Sequence, residues 1–172
     1  MKKFVILFIL SFLVFSCKTK QIENSDKSVQ KTGLKIGFPK SLGYVSDYDN
    51  VLTDEQINTL TKILSEYEAK TTNQIAVVSI TKNLNEDNFD QYALDLSNNW
   101  GIGTSKKDNG LTIVFSNKLR KIRICTGIGT EKILTDKICA IVLNEKILPE
   151  FKKDDYYSGL TKGINEFINL WN

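Results

Sequence analysis

Carboxylate side chains and glycines are concentrated between Trp100 and Asp136, in the stretch WGIGTSKKDNGLTIVFSNKLRKIRICTGIGTEKILTD. The tripeptide Asp108-Asn109-Gly110 precedes one apolar run, Glu131 follows the next, and Asp136 comes shortly afterwards. Carboxylate and amide oxygens are the ligands that hard cations such as Ca²⁺ and Mg²⁺ prefer. Carboxylates brought close together also repel one another unless they bind a proton or a cation. The residue types in this stretch therefore predict a divalent-cation site.

The composition of the 172-residue chain narrows the chemistry further. It contains no histidine, which excludes Ser-His and Cys-His catalysis and every histidine metal site. With three cysteines and no histidine, a tetrahedral zinc site is implausible as well. Without Lys2 and Lys3 near the N-terminus, 21 basic residues face 20 acidic ones, so the charge gives no reason to expect nucleic-acid binding.

Two strands are predicted to bring the acidic residues together. The apolar runs 111–116 and 121–126 are separated by only four residues, which favours an antiparallel hairpin. Asp108 enters one strand and Glu131 leaves the other, so both lie at the same edge of the sheet, and we expect Asp108, Asn109, Glu131 and Asp136 to converge there. Two simpler interpretations stay open. Asp-Asn-Gly is a common tight turn, and Glu131 and Asp136 are suited to helix N-termini.

The remaining periodicities predict an α/β domain: an αβα sandwich with about four helices on both faces of a small mixed β-sheet. Thr53 and Gln56 form a capping box at the start of the first helix, and Gln74–Thr81 is a nearly continuous apolar run typical of a central strand. Thr135 is placed to cap a third helix, which Pro149 should end or kink. The four helices are expected over about 53–72, 89–100, 136–148 and 155–170.

Two further motifs suggest other activities, and both fit poorly. Each Gly-Ile-Gly element, at 101–103 and at 127–129, lacks the third glycine of a dinucleotide-binding loop. Asp47-x-Asp49-x-Val51 is similar to the nucleophile motif of haloacid-dehalogenase phosphatases, but the residues before it make a poor buried strand. We therefore expect no nucleotide.

The N-terminus predicts a membrane anchor. Residues 1–17 consist of a short basic segment, an apolar run too short to span a bilayer, and Cys17 after a small residue. This is similar to a bacterial lipoprotein signal peptide that ends at a lipidated cysteine, although an ordinary signal peptide with an incidental cysteine would look much the same. Residues 18–39 are polar and predict a flexible tether, so residues 40–172 form the folded domain. Cys125 and Cys139 could be bridged outside the cytoplasm, but their apolar neighbours favour free thiols.

Taken in order, the short motifs of the domain resemble the TPM domain family over about residues 40–165. No single motif is specific, whereas the ordered series is. The motifs are Tyr44-Val45-Ser46-Asp47 before Leu52-Thr53, the strand Gln74–Ile80, Trp100-Gly101-Ile102-Gly103, Asp108-Asn109-Gly110, Thr126-Gly127-Ile128-Gly129-Thr130-Glu131, Leu134-Thr135-Asp136 and Asp155-Tyr156-Tyr157-Ser158-Gly159-Leu160.

The resemblance implies an αβα sandwich tethered to a membrane, facing the periplasm or the cell surface. It maps the family's acidic positions to Asp47, Asp108, Glu131 and Asp136, with Asn109 beside them, as ligands of Ca²⁺ or Mg²⁺. The implied role is a monomeric module of the cell envelope that assists the maintenance or assembly of membrane-protein complexes. The alternative is a metal-dependent acid phosphatase that acts on phosphomonoesters, with Asp47 and Asp108 as catalytic candidates. Whether the chain is an enzyme stays open at this point.

Overall fold

The computed structural model describes residues 37–171. The predicted signal peptide, the lipidation at Cys17 and most of the predicted tether lie outside these residues. Within the described part, the elements are β1 (Val45–Asp47), α1 (Asp54–Thr71), β2 (Gln74–Ser79), α2 (Phe89–Trp100), β3 (Gly110–Ser116), β4 (Lys121–Thr126), α3 (Ile128–Glu131), α4 (Asp136–Val142), a π-helical segment (Leu143–Ile147), α5 (Leu148–Phe151) and α6 (Tyr156–Leu170). No helix among them is long and apolar enough to cross a membrane.

The sheet is mixed and its strands lie in chain order, β1-β2-β3-β4. The pairs β1–β2 and β2–β3 are parallel, with Asp47 opposite Ser79 and Ser79 opposite Phe115. β3 and β4 form the antiparallel hairpin, in which Leu111 faces Thr126. This confirms the predicted α/β class and the hairpin.

Both faces of the sheet are covered, but by unequal layers. Alternate residues of each strand point to opposite faces. Val77 and Ile113 pack with α1, α5 and α6, whereas Val78 and Val114 pack with α2. The two parallel crossovers, β1–α1–β2 and β2–α2–β3, move across the sheet in the same direction. Their helices lie on opposite faces, so the two crossovers have opposite hands. One of them therefore departs from the usual right-handed connection.

The helix boundaries follow local signals. Thr53 caps α1 and forms the predicted capping box with Gln56. Asp155 caps α6 by accepting a hydrogen bond from the Ser158 amide at 3.0 Å. Asn88 precedes α2, but its side chain makes no cap bond there and instead accepts from the Asn85 amide at 2.8 Å.

Of the two outcomes expected at Pro149, an end or a kink of the third helix, the helix does not end there. The helix continues from α4 through the π-helical segment into α5, and Pro149 lies in the first turn of α5. A proline ring in a regular α-helix would clash with the carbonyl four residues earlier, that of Glu145. The wider π-turn lies directly before Pro149, where it relieves that clash.

Candidate functional site

Three loops meet at the edge of the sheet where β3 begins and β4 ends. The Asp108 carbonyl accepts hydrogen bonds from the amides of Gly129 and Thr130, at 3.1 and 3.3 Å. The Gly127 amide donates to the Gly110 carbonyl at 2.9 Å. These backbone contacts join the loop before β3, which contains Asp108, to the segment after β4, which leads into Glu131.

The glycines allow this approach because side chains would not fit. A Cβ atom at Gly129 would lie 1.8 Å from the Lys107 carbonyl oxygen, and one at Gly127 would lie 2.1 Å from the Asp108 carbonyl oxygen. Gly103 has φ +102°, and a Cβ atom there would lie 2.6 Å from the Gly110 amide nitrogen. The two Gly-Ile-Gly elements therefore shape the loops through close backbone contact.

Asn109 holds the cluster together from inside. Its side chain is 5% exposed. The carboxamide oxygen accepts from the amide and the hydroxyl of Thr104, at 3.0 and 2.9 Å. The carboxamide nitrogen donates to the Thr72 carbonyl and to Asn73 Oδ1, at 2.8 and 3.1 Å. Because both ends of the carboxamide are engaged, Asn109 acts as a clamp between loops, and its predicted role as a metal ligand has no free oxygen to support it.

A polar cavity of about 430 Å³ opens beside this cluster. Its wall contains backbone, hydroxyl and carboxylate oxygens, and Asp108 is the one acidic residue among those that line it. The lining residues are Ser97, Asn98, Gly101, Ile102, Gly103, Thr104, Ser105, Asp108, Thr126, Gly127 and Ile128. Glu131 lies at the margin, where its Oε1 accepts a hydrogen bond from the Thr126 hydroxyl at 3.3 Å.

Asp136 lies farther along, at the start of α4, where Thr135 is the cap. Within residues 37–171 no hydrogen bond connects Asp136 to the cavity. Its charge nevertheless acts on Cys139. Burial has the largest effect, followed by the charges of Asp136 and Glu131, and together they raise the pKa of this thiol to about 11. Glu131 and Asp136 are therefore both close enough to Cys139 for their charges to act on its thiol.

Asp47 lies at the opposite edge of the sheet, where the parallel strands end. In the strand register, Asp47 lies beside Ser79, and Ser79 lies beside Phe115. Phe115 follows Asp108 by seven residues along the chain. The strand from Gly110 to Phe115 alone spans about 17 Å at about 3.3 Å per residue. The interpretation that one cation contacts Asp47, Asp108 and Glu131 together does not agree with this geometry.

At this second edge, the carboxylates are occupied by the protein itself. Asp47 accepts from the Leu52 amide at 2.8 Å and from the Ser79 hydroxyl. Asp49 accepts from the Thr81 hydroxyl at 2.7 Å and from the Asn117 amide at 3.1 Å. Both carboxylates thus fix the loops that follow β1 and β3.

The donor set at the first edge fits a hard cation in chemistry, because the described residues that line the cavity beside Asp108 offer oxygen ligands. It is sparse in charge, since the described part of the chain contains no group of three or more acidic, histidine or cysteine side chains that could hold a metal ion. A cation here would need backbone, hydroxyl and water oxygens to complete its shell.

The fold and this loop cluster define a class of protein. It is a three-layer α/β domain in which glycines shape the loops of Asp108 and Glu131 at one edge of the sheet. A model of the TPM domain matches residues 45–170, and the chain belongs to that family. The predicted resemblance is thereby confirmed.

Solved structures agree with this assignment. The chain is similar to the N-terminal domain of a protein from P. gingivalis, with 26% identity, a TM-score of 0.64, and coverage of 74% of this chain and 80% of that one. The BA42 protein from Bizionia argentinensis has 22% identity and a TM-score of 0.60, covering 69% and 80%. The N-terminal domain of the cg2496 protein from Corynebacterium glutamicum has 16% identity and a TM-score of 0.55, covering 77% and 82%. A search among curated proteins gave no match.

Proposed function

We propose that this chain is a divalent-cation-binding TPM domain of a bacterial cell envelope, anchored through a lipid on Cys17. The observation that carries the cation proposal is the joining of the loops of Asp108 and Glu131 beside one polar cavity. Asp108 and Glu131 would supply the charge, and loop carbonyls and hydroxyls would supply further oxygens. The anchor proposal is supported by the sequence of residues 1–17 alone.

The sparse charge of the site predicts weak binding. Oxygen sites with few carboxylates and exposed positions bind Ca²⁺ with dissociation constants of roughly 10⁻⁴–10⁻³ M, as in extracellular modules. Calcium should bind better than magnesium, because Ca²⁺ accepts irregular shells whereas Mg²⁺ demands near-octahedral geometry. Such a site responds to the concentrations found outside the cytoplasm.

The test is a residue-resolved NMR titration with CaCl₂ and then with MgCl₂. We expect amide shifts centred on Gly103, Asp108 and Gly127. Asp108→Asn should weaken calcium binding about tenfold or more, whereas Asp87→Asn, the same charge change in an exposed loop after β2, should not. A tenfold loss corresponds to about 1.4 kcal/mol.

Two results would contradict the proposal. Shifts centred on Tyr48 and Ser79 would place the cation at the opposite edge of the sheet. Equal weakening by Asp108→Asn and Asp87→Asn would mean that calcium is attracted only by the general charge of the domain.

The alternative function, a metal-dependent acid phosphatase, has weaker support. Its two catalytic candidates, Asp47 and Asp108, lie at opposite edges of the sheet. A cation beside Asp108 could polarise a phosphoryl oxygen and activate a water molecule, but no second candidate lies there to position a substrate. We therefore expect no phosphomonoester hydrolysis that depends on Asp108, and an assay of Asp108→Asn across acidic pH checks this expectation.

A further inference from the structure

A second cavity, of about 240 Å³, lies at the other edge of the sheet, between the hairpin turn and the helices α5 and α6. It is separate from the cation site, and Tyr156 is the one lining residue that belongs to a motif of the sequence. Its lining residues are Ser116, Arg120, Lys121, Ile122, Leu148, Phe151, Lys152 and Tyr156. The carboxyl ends of β1, β2 and β3 point to this edge, which is the usual side for ligands in open α/β sheets.

The polar part of the cavity is fixed by a continuous hydrogen-bond network. The Ser116 hydroxyl lies 2.6 Å from that of Thr81. The Tyr156 hydroxyl accepts from Arg120 at 2.9 Å and donates to the Asn117 carboxamide oxygen. Arg120 also donates to Asp154 and to the Phe151 carbonyl. Since a guanidinium carries five N–H donors, Arg120 keeps donors for a ligand.

The apolar part is equally well ordered. Phe115, Phe151 and Tyr156 pack with ring-centroid separations of 4.9 to 5.6 Å. Phe151 and Tyr156 are buried, and Ile122 and Leu148 are partly exposed beside them. The cavity therefore offers an aromatic and aliphatic wall next to the guanidinium of Arg120.

The lining of the cavity is basic, although the carboxylates of Asp154 and Asp90, just outside it, pair with Arg120 and Lys121. Among the residues described, its wall includes Arg120, Lys121 and Lys152 and no carboxylate. Lys121 is directed towards the Glu86 carbonyl at 2.6 Å and Asp90 at 3.5 Å. Lys152 is exposed, and its side chain makes no hydrogen bond or ion pair within residues 37–171. Arg120 and Lys152 are thus the cations best placed to face a ligand.

From these contacts we infer that the cavity binds a small organic anion, a carboxylate or phosphate group carried on an apolar body. The anionic group lies between Arg120 and Lys152, and the apolar body lies against Ile122, Leu148 and Phe151. Guanidinium and ammonium donors bind oxyanions of either kind, and apolar walls with a few fixed polar groups are typical of small-molecule sites. The inference does not depend on cation binding at Asp108.

The experiment is an NMR titration of the isotope-labelled full chain with phenyl phosphate and, separately, with benzoate. We expect shifts at Ser116, Ile122 and Tyr156 at millimolar ligand, weakening as salt is raised because the attraction is screened. Lys152→Gln should weaken binding about two- to fivefold, the range for an exposed ion pair. Lys132→Gln, the same change on an exposed residue beside α3, is the matched control and should have no effect.

Inorganic phosphate has the anionic group without the apolar body, and phenol has the apolar body without the anionic group. Either of them binding as tightly as phenyl phosphate would overturn the requirement for both halves. The absence of shifts at these residues with both phenyl phosphate and benzoate would overturn the inference as a whole, as would equal weakening by Lys132→Gln. If only one of the two anions binds, the inference holds, and the result identifies the oxyanion.

Discussion

Asn109 is the residue on which the acidic edge most depends. Its four hydrogen bonds connect the loop before β3 to Thr72 and Asn73 at the end of α1 and to Thr104 after α2. A buried polar group left without its partner costs about 1–3 kcal/mol. The position of Asp108 is thus secured by its neighbour rather than by any bond of its own side chain.

Replacing Asn109 by alanine should therefore destabilise the domain by about 2–3 kcal/mol, because the Thr104 amide and the Thr72 carbonyl would lose their partner. Urea unfolding measures the change. Asn98→Ala is the matched control, since Asn98 lines the same cavity but is exposed and makes no side-chain hydrogen bond among the described residues; it should stay within about 0.5 kcal/mol of the parent. A loss below about 0.5 kcal/mol for Asn109→Ala would contradict the clamp.

The sequence predicted that Asn109 lies beside Asp108 as a metal ligand, but it did not predict that Asn109 joins loops through its hydrogen bonds. A carboxamide beside a carboxylate looks like a ligand when only its chain neighbours are known. Its actual partners, Thr72 and Thr104, come from separate connections, and their positions depend on how α1 and α2 dock. The residue types therefore predicted where Asn109 lies, whereas its hydrogen-bond partners depend on tertiary contacts.

At the scale of elements, the close approach of two loops depends on Gly129. A Cβ atom there would overlap the Lys107 carbonyl oxygen, which is backbone and cannot move without shifting the whole loop. Gly129→Ala should destabilise the domain by about 1–3 kcal/mol, in the range of overpacking substitutions. It should also weaken any binding at Asp108, because the Asp108 loop would be pushed outward.

Gly37→Ala is the control for this prediction, since a Cβ atom at Gly37 has nothing within 4 Å. Thermal unfolding of both variants gives the comparison. Similar midpoints for the two variants would show that the loops separate without cost and that the glycine contact is dispensable.

The packing of α6 on the π-helical segment is a second test at this scale. A Cβ atom at Gly163 would lie 2.5 Å from Ile147 Cγ1, and Ile147 is fully buried. Gly163→Ala should therefore destabilise by about 1–3 kcal/mol. Ile147→Ala should cost about 2–5 kcal/mol through the cavity that it leaves.

The double variant should be less destabilised than the two single losses combined, because the new methyl group at position 163 occupies space vacated at position 147. A double-mutant cycle measured by urea unfolding gives this coupling, expected at about 0.5–3 kcal/mol. Strictly additive losses would mean that the two side chains do not meet.

Most elements could be predicted from local patterns, and the exceptions have physical causes. α1 carries its own capping box and β2 its own apolar run, so each is visible in isolation. β1 has only three residues and exists because it pairs with β2, which no local pattern records. The opposite hands of the two crossovers, and with them the separation of Asp47 from Asp108, are properties of strand order that periodicity does not contain.

For the molecule as a whole, attachment to a membrane rests on Cys17. If this residue is lipidated, cells that express the chain and are fed a labelled fatty acid should yield labelled protein in the membrane fraction. Cys17→Ser should abolish the label and release the protein from membranes, since stable anchoring requires the acyl chains. Cys125→Ser is the control that should keep the label; a signal peptide without lipidation would leave both variants unlabelled.

The other two cysteines lie on opposite faces of the sheet. Cys125 packs with α2 on one face, and Cys139 lies against the larger core on the other. Both are free thiols, which agrees with the interpretation favoured from their apolar neighbours. A bridge between them would have to pass through the sheet, so their chemistry is independent.

Cys139 should make the domain sensitive to alkaline pH. Burial and the charges of Asp136 and Glu131 raise the pKa of its thiol from 9.0 to about 11. The folded state thus holds this proton more tightly than the unfolded state, and the corresponding stability is fully present below about pH 9 and lost as the pH rises towards about 11. Cys139→Ala removes this contribution, so the free energy of unfolding of the parent, measured relative to that variant, should fall between those two pH values. Parallel profiles for the two proteins across that range would show that the thiol ionises equally easily in both states. A cation bound beside Glu131 would oppose the negative charge there and lower the folded-state pKa of Cys139, so with calcium present the fall should still begin near pH 9 but should be smaller and end at a lower pH.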